Sequence, residues 1–395
     1  MTDEQIRHWR RDTPGCAGRV HLNNAGASLM PRPVLEAIHR HIDLEAEIGG
    51  YESEDAVADR IRTTYEHVGR LFETGPENVA LVENATVAVS QALAAFDFQR
   101  GDVLVTTQND YTSNQLMYLS MARRLGIEVL RADDLPEGGV DPDSVRRLAA
   151  HPRCRLVALT WVPTNSGLVQ RAEEVGEVCE EAGVPYLVDA CQTLGQLPVD
   201  VARLRCDFLA GTARKFLRGP RGIGFLYVSD RMLAHDVYPL FVDMRGAGLR
   251  DPGSFELAPG ARRFENWEFN YALVLGLGEA ARYAEEVGIE RGGRRAMELA
   301  AYAREKLAAV PGLRIADRGE RLCALVTLEV EGQDAREVVR RLRAARVNTS
   351  AALSGKGPFN APGAATPILR ISPHYYNTRE EIDTAVAALE ELPRD

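Results

Sequence analysis

Between about residue 75 and residue 228, short apolar runs alternate with stretches of helical period, and this limits the possible folds more than any other feature. The apolar runs are Val79–Val82, Val103–Thr106, Glu128–Arg131, Arg155–Thr160, Tyr186–Asp189, Phe208–Ala210 and Gly224–Val228. The helical stretches between them include Thr86–Phe96, Ser113–Leu125, Asp143–Ala149 and Ala172–Ala182. Strands separated by helices of this length imply an α/β fold whose mostly parallel, seven-stranded sheet is covered on both faces. Ligands of such sheets collect beyond the carboxyl ends of the strands. Asp189 and the segment Thr160–Asn165 lie at such ends.

After about residue 270 the texture changes. Two long helical patterns, Tyr271–Val287 and Gly292–Ala309, precede Leu322–Val330, a helix over Asp334–Ala345, a strand over Leu369–Ile371 and a helix over Arg379–Leu392. The chain therefore divides into an N-terminal segment (1–20), a large domain (21–270) and a smaller α+β C-terminal domain (271–395). The first ~70 residues are expected to contribute partly to the small domain, and the long helices to connect the two. With 395 residues, 45% of them hydrophobic, there is ample material for both cores.

Charge and cysteine usage exclude several classes of function. The net charge is −10 and no basic stripe stands out, which argues against nucleic acid or anionic membrane as partner. No apolar run approaches the ~18 residues of a membrane span. The stretch Met1–Gly15 is charged and lacks the apolar core of a signal peptide. Six cysteines are scattered with no CxxC pair, so they are expected to be reduced thiols of a cytoplasmic protein, with no metal site. No GxGxxG opens the first strand–helix turn, which disfavours flavin and nicotinamide enzymes.

The chemistry concentrates around Lys215, which lies between two apolar strands among Gly211, Gly219, Gly222 and Gly224. A buried lysine amine with a lowered pKa can form a Schiff base, although a lysine between strands can also snorkel to water. Asp189 ends another apolar strand. A carboxylate there can cap a turn, or it can hold a pyridinium nitrogen protonated. Lysine and aspartate together are what pyridoxal 5′-phosphate (PLP) requires of a protein.

Other residues fit around that pair. Glu83-Asn84-Ala85-Thr86 follows a strand and opens a helix, so its free N–H groups, with Ala85 and Thr86, offer an anion site for the cofactor phosphate, unless Asn84 is a plain helix cap. Thr212 is placed to reach the same phosphate. Tyr111, just past a strand end, stacks on a flat cofactor or joins the core. Asn165 and Gln192 are candidates for the ring hydroxyl. Arg370 lies within an apolar strand and needs an anion: a substrate carboxylate, or a structural ion-pair partner.

Taken together these residues resemble the class V aminotransferase group of PLP enzymes, which includes cysteine desulfurases, kynureninase and isopenicillin N epimerase. The resemblance runs from about residue 18 to 392. It begins at His21-Leu-Asn-Asn-Ala-Gly-Ala-Ser28 and ends at Arg370-Ile-Ser-Pro-His-Tyr-Tyr-Asn-Thr378. It implies the aspartate aminotransferase-like PLP-dependent transferase fold and a homodimer with active sites at the subunit interface. By the same resemblance Lys215 is the Schiff-base lysine and Asp189 the pyridinium partner. Thr86 and Thr212 become phosphate contacts, while Asn24 and Arg370 become substrate contacts.

Three departures bear on the reaction. The segment Ala352–Gly363, where desulfurases carry a persulfide-forming cysteine, has none. Tyr111 stands where desulfurases usually stack a histidine. Trp267-Glu268 replaces a Gly-Thr that contacts phosphate across the dimer in the family. The preferred expectation is a carbon–sulfur lyase acting on an S-substituted cysteine or its sulfoxide, because the sulfur then leaves without needing a loop thiolate. An aminotransferase or decarboxylating deaminase of an amino acid comes next, then an epimerase, and last a scaffold subunit without chemistry. Arg245, Arg250, Arg262 and Arg263 are candidates for a second anionic group of the substrate, or for solvated surface charge.

Overall fold

The computed structural model of the chain describes residues 1–353 and 366–392. Seven strands form the central sheet: β1 (Val79–Val82), β2 (Val103–Thr107), β3 (Glu128–Ala132), β4 (Cys154–Thr160), β5 (Tyr186–Asp189), β6 (Phe208–Thr212) and β7 (Gly224–Val228). Their spatial order is β1-β7-β6-β5-β4-β2-β3. Strand β7 runs antiparallel to β1 and β6, and the other pairings are parallel. The sequence expectation of a mostly parallel, seven-stranded sheet holds.

Period-2 alternation explains why this sheet is buried on both faces. Val103, Val105, Val157, Leu159, Val188 and Leu209 join one apolar cluster. Their chain neighbours Leu104, Leu156, Ala158, Leu187 and Phe208 join a second cluster on the opposite face. Close approach of β7 to the first strand–helix turn depends on Gly224. A Cβ there would lie 2.6 Å from the Gly211 carbonyl oxygen and 3.0 Å from the Asn84 backbone. That contact seats the start of helix Ala85–Ala94 beside the end of β6.

The second sheet contains β8 (Leu313–Ile315), β9 (Val326–Val330), β10 (Ser350–Leu353) and β11 (Pro367–Ile371), all antiparallel in the order β8-β9-β11-β10. Strand Val20–His21 pairs in parallel with Val347–Asn348, and Asn23 bridges Ser372, so the start of the chain is tied to the C-terminal part. Helices Arg32–Ile48 and Ala58–Arg70 pack on helix Tyr271–Val287. Gly288, at φ 81°, ends that helix, and helix Ile289–Ala308 starts at once, three residues before the sequence pattern suggests. The exposed hairpin Ala247–Asp251/Ser254–Leu257 has no buried face and left no apolar alternation to read. No described helix is long and apolar enough to cross a membrane.

Candidate active site

A cavity of about 400 Å³ opens beyond the carboxyl ends of β4, β5 and β6. Ala85, Thr86, Tyr111, Asp189, Gln192, Thr212 and Lys215 all line it, as do Asn114, Thr164, Cys191 and Arg214.

Lys215 follows β6 in a tight turn. Its carbonyl accepts the Arg218 N–H at 2.9 Å, and the Gly219 N–H reaches the Ala213 carbonyl at 2.8 Å. Arg218 sits at φ 62°, a left-handed conformation that a side chain disfavours. Its fully buried guanidinium compensates by donating to Tyr375 Oη, Thr13 Oγ1 and the Leu29 carbonyl. It also lies 4.4 Å from the centre of the Tyr376 ring. The turn that presents Lys215 is thereby anchored to both ends of the chain.

Lys215 is 7% exposed. Burial lowers the pKa of its amine; Cys191 and Asp189 oppose the shift, while Arg214 and Arg370 add to it. The amine lies 5.9 Å from the centre of the Tyr111 ring. No described residue forms a hydrogen bond or ion pair with it.

Asp189 is held from two sides. Its Oδ1 accepts the Cys191 N–H at 3.0 Å, and its Oδ2 accepts the Asn114 amide at 2.9 Å. At the other end of the cavity, Asn84 caps helix Ala85–Ala94 by accepting the Val87 N–H at 3.1 Å. The amides of Ala85 and Thr86 come before the first intrahelical donor, Ala88, and with Thr212 and Arg214 they line the cavity as candidate anion contacts. Arg214 is half-buried, donates to the Gly26 carbonyl, and has its pKa lowered by burial and by Arg221.

Arg370 is buried beside Thr164, donating from Nη1 to the Thr164 carbonyl and hydroxyl at 2.8 and 2.7 Å. Burial and nearby Arg214 push its pKa down to about 10. Among the described residues its Nε has no partner, and neither does Gln192 Oε1. The Gln192 amide donates to the Ala25 carbonyl and to Thr164 Oγ1. Lys215, half-buried Arg214 and a helix start line one cavity, and buried Arg370 adjoins it through the lining residue Thr164. That donor set fits a phosphorylated aromatic aldehyde and a carboxylate-bearing substrate.

Two expected contacts are placed elsewhere. Asn165 does not line the cavity; its neighbour Thr164 does, held there by Arg370 and Gln192. Asn24 is fully buried behind the site, donating to the carbonyls of Ser372 and His21 and accepting from Tyr376 Oη. Those bonds occupy its side chain, and Asn23 Oδ1 reaches Arg370 instead, at 3.4 Å. Arg245, Arg250, Arg262 and Arg263 also lie outside the cavity. Arg245 pairs with buried Glu265 at 2.8 Å, Arg262 covers the Tyr65 ring, and Arg263 bonds the Gly260 and Leu233 carbonyls. Arg250 is exposed on the hairpin. Trp267 and Glu268 are exposed as well. Most of the cysteine-free segment Ala352–Gly363 lies outside the described residues.

Sequence reading missed Asn114, Thr164 and Arg214. Arg214 adjoins Lys215, and Thr164 adjoins the chosen Asn165. Asn114 lies four positions after Asp110, one helical turn on, which was the available signal.

A family model described as aminotransferase class-V matches residues 20–385. The chain is 27% identical to a probable cysteine desulfurase of Methanothermobacter thermautotrophicus over 97% of each sequence. It is 30% identical to isopenicillin N epimerase of Streptomyces clavuligerus over 94% of each. It is 28% identical to a probable hercynylcysteine sulfoxide lyase of Mycobacterium tuberculosis, over 98% of this chain and 93% of that one. Its fold is similar to that of a cysteine desulfurase from Thermococcus onnurineus, with TM-score 0.88 at 23% identity, over 98% of this chain and 97% of the other.

Proposed function

The chain belongs to the class-V aminotransferase family, and within it we propose a PLP-dependent carbon–sulfur lyase acting on an S-substituted cysteine or cysteine sulfoxide. The observation that carries the reading is the joint placement of Lys215 and Asp189 in one cavity, with Arg370 bonded to its lining residue Thr164 and a lining thiol unsuited to sulfur transfer. That thiol, Cys191, is buried, and burial beside Asp189 raises its pKa far above the usual thiol range. A thiol that stays protonated is a poor sulfur acceptor. With no cysteine over Ala352–Gly363 either, sulfur departs with its own substituent. The similarity to a hercynylcysteine sulfoxide lyase supports this substrate class.

Ala85, Thr86, Thr212 and Arg214 would hold the phosphate, Tyr111 the ring face, Gln192 the ring hydroxyl and Asp189 the ring nitrogen. When bound, PLP supplies an aldehyde and an electron-withdrawing ring that acidifies the substrate α-carbon. Arg370, a buried cation that meets no carboxylate among the described residues, receives the substrate carboxylate together with Thr164. Lys215 Nζ, whose pKa burial lowers, removes the α-proton. The C–H electron pair becomes the Cα–Cβ double bond, and the C–S pair leaves with sulfur as thiolate or sulfenate. The released aminoacrylate takes up water and gives pyruvate and ammonia, so the sequence is redox-neutral.

The active species is a homodimer. Leu240, Phe241, Met244 and Leu249 are 71%, 81%, 63% and 90% exposed within one stretch of chain, a density of bare apolar surface that favours a covering partner. All six cysteines are free, which supports a reducing, cytoplasmic setting.

The test supplies S-alkyl cysteines and their sulfoxides to the PLP-loaded protein. Equal amounts of pyruvate and ammonia are expected. Alanine formed from free cysteine, with persulfide left on the protein, would indicate a desulfurase instead, and stoichiometric conversion of the cofactor to its amine form would indicate an aminotransferase.

A further inference from the structure

Behind Asp189 lies a second carboxylate that the proposed reaction does not use. Asp110, 9% exposed, follows β2 and precedes helix Thr112–Leu125. Its Oδ2 accepts the Thr106 hydroxyl at 2.6 Å. Its Oδ1 accepts the Tyr111 N–H at 2.6 Å, the Thr160 hydroxyl, and the Asn114 amide at 3.2 Å. Four donors hold this carboxylate in one orientation despite its burial.

Asn114 joins the two acids. Its Nδ2 donates one hydrogen to Asp110 Oδ1 at 3.2 Å and the other to Asp189 Oδ2 at 2.9 Å. Both partners are acceptors, so the amide can present only its NH₂ group to them; its oxygen there would oppose two carboxylates. The orientation of Asn114 is thus imposed by chemistry, and Asp110 is what imposes it. With Oδ2 held by Asn114 and Oδ1 held by the Cys191 N–H, Asp189 is fixed on both oxygens. Asp189 and Asp110 sense each other electrostatically, and buried Tyr118 faces both.

We propose that Asn114 and Asp110 are positioning residues for the ring nitrogen of the cofactor. The chain Asp110–Asn114–Asp189 locks the Asp189 carboxylate in the rotamer that receives a protonated nitrogen. It also places a second carboxyl group, bonded to the same asparagine, behind that carboxylate. Without Asn114, the Cys191 N–H alone would hold the Asp189 carboxylate. A PLP-binding aspartate needs orientation, and here a single asparagine bridging two buried acids provides it. The proposal rests on the reading of Asp189 as the partner of the ring nitrogen.

The experiment compares the dissociation constants of PLP and of its 1-deaza analogue, whose ring carries carbon in place of that nitrogen. Binding is measured to the cofactor-free protein by fluorescence quenching, with far-ultraviolet circular dichroism reporting the fold of each variant. Wild type is expected to prefer PLP, and Asp189→Asn to lose that preference. If wild type shows no preference, the reading of Asp189 fails, and the present inference fails with it. Given the preference, Asn114→Ala is expected to cut it about tenfold by weakening PLP alone. Asp110→Asn is expected to cut it less, because Asn114 keeps its bond to Asp189. Parallel weakening of both ligands in the two variants, or no change in either, overturns the proposal, since a purely structural role does not distinguish nitrogen from carbon.

Discussion

Arg370 donates from one nitrogen to both the carbonyl and the hydroxyl of Thr164, at 2.8 and 2.7 Å, yet meets no carboxylate among the described residues. The same hydroxyl accepts the Gln192 amide at 3.1 Å. Thr164 Oγ1 therefore joins the substrate-carboxylate end of the site to the cofactor-ring end. In Thr164→Val two buried donors lose an acceptor, each a loss of about 1–3 kcal/mol. Steady-state kinetics should give KM for a cysteine-type substrate raised about tenfold or more with kcat less affected, and Thr164→Ser should recover most of the loss. A valine variant with wild-type KM would remove Thr164 from the substrate site.

Burial of Lys215 carries a stability cost in the cofactor-free protein whose pH dependence has a definite sign. Its pKa in the fold lies below the usual value of about 10.4, so across that interval the unfolded chain binds more protons than the folded one. Stability contributed by this group accordingly rises with pH through the interval. Lys215→Met should raise the Tm of the cofactor-free form near neutral pH, with the gain shrinking as the pH nears about 10.4. A gain that is constant with pH, or a loss at neutral pH, would show that the amine is charged in the fold.

Arg245 was a candidate for a substrate anion, but its Nε lies 2.8 Å from Glu265 Oε2. Glu265 also accepts the Tyr65 hydroxyl at 2.9 Å and the Leu81 N–H at 2.8 Å, and burial raises its pKa against the pull of Arg245. Removing one partner of such a pair strands a buried charge, a loss of about 3–5 kcal/mol. Arg245→Met should lower the denaturant midpoint accordingly while KM at permissive temperature stays within about twofold. Glu265→Gln in the same background should restore part of the stability. A large rise in KM with unchanged stability would return Arg245 to the substrate.

The large sheet was legible because its strands are apolar on both faces, and such runs stand out between helical periods. Lys215, Asp189 and the Ala85–Thr86 helix start were legible for a related reason: each lies at or just past the end of a strand that can be read. What stayed hidden depends on registers that only the tertiary structure sets. Asn165 and Thr164 are adjacent turn residues of similar chemistry, and only the Arg370 and Gln192 bonds decide which one faces inward. Asn24 and Asn23 pose the same problem, decided by Ser372 and Tyr376. Arg218 reads as one more arginine of a basic turn. Its burial among Tyr283, Tyr375 and Tyr376 comes from segments distant in the chain.

His374 gives the fold an acid limit. Its Nε2 donates to the Phe216 carbonyl at 2.8 Å and its Nδ1 accepts the Tyr375 N–H at 2.8 Å, so the ring is neutral. Burial, with Arg218 adding to it, pushes its pKa down to about 3. Between that value and the ordinary one of about 6.5 the unfolded chain takes up a proton that the fold refuses. The stability concerned is intact above about pH 6.5 and is lost as pH falls toward 3, by up to about 1.4 kcal/mol per pH unit. His374→Gln retains a donor toward Phe216 but cannot titrate. It should be less stable than wild type near neutrality, yet lose stability less steeply between about pH 6 and 4. His21, whose pKa burial also lowers, keeps its share of the slope in both proteins. Denaturant unfolding at several pH values measures the two slopes, and parallel profiles would mean that His374 does not set the acid limit.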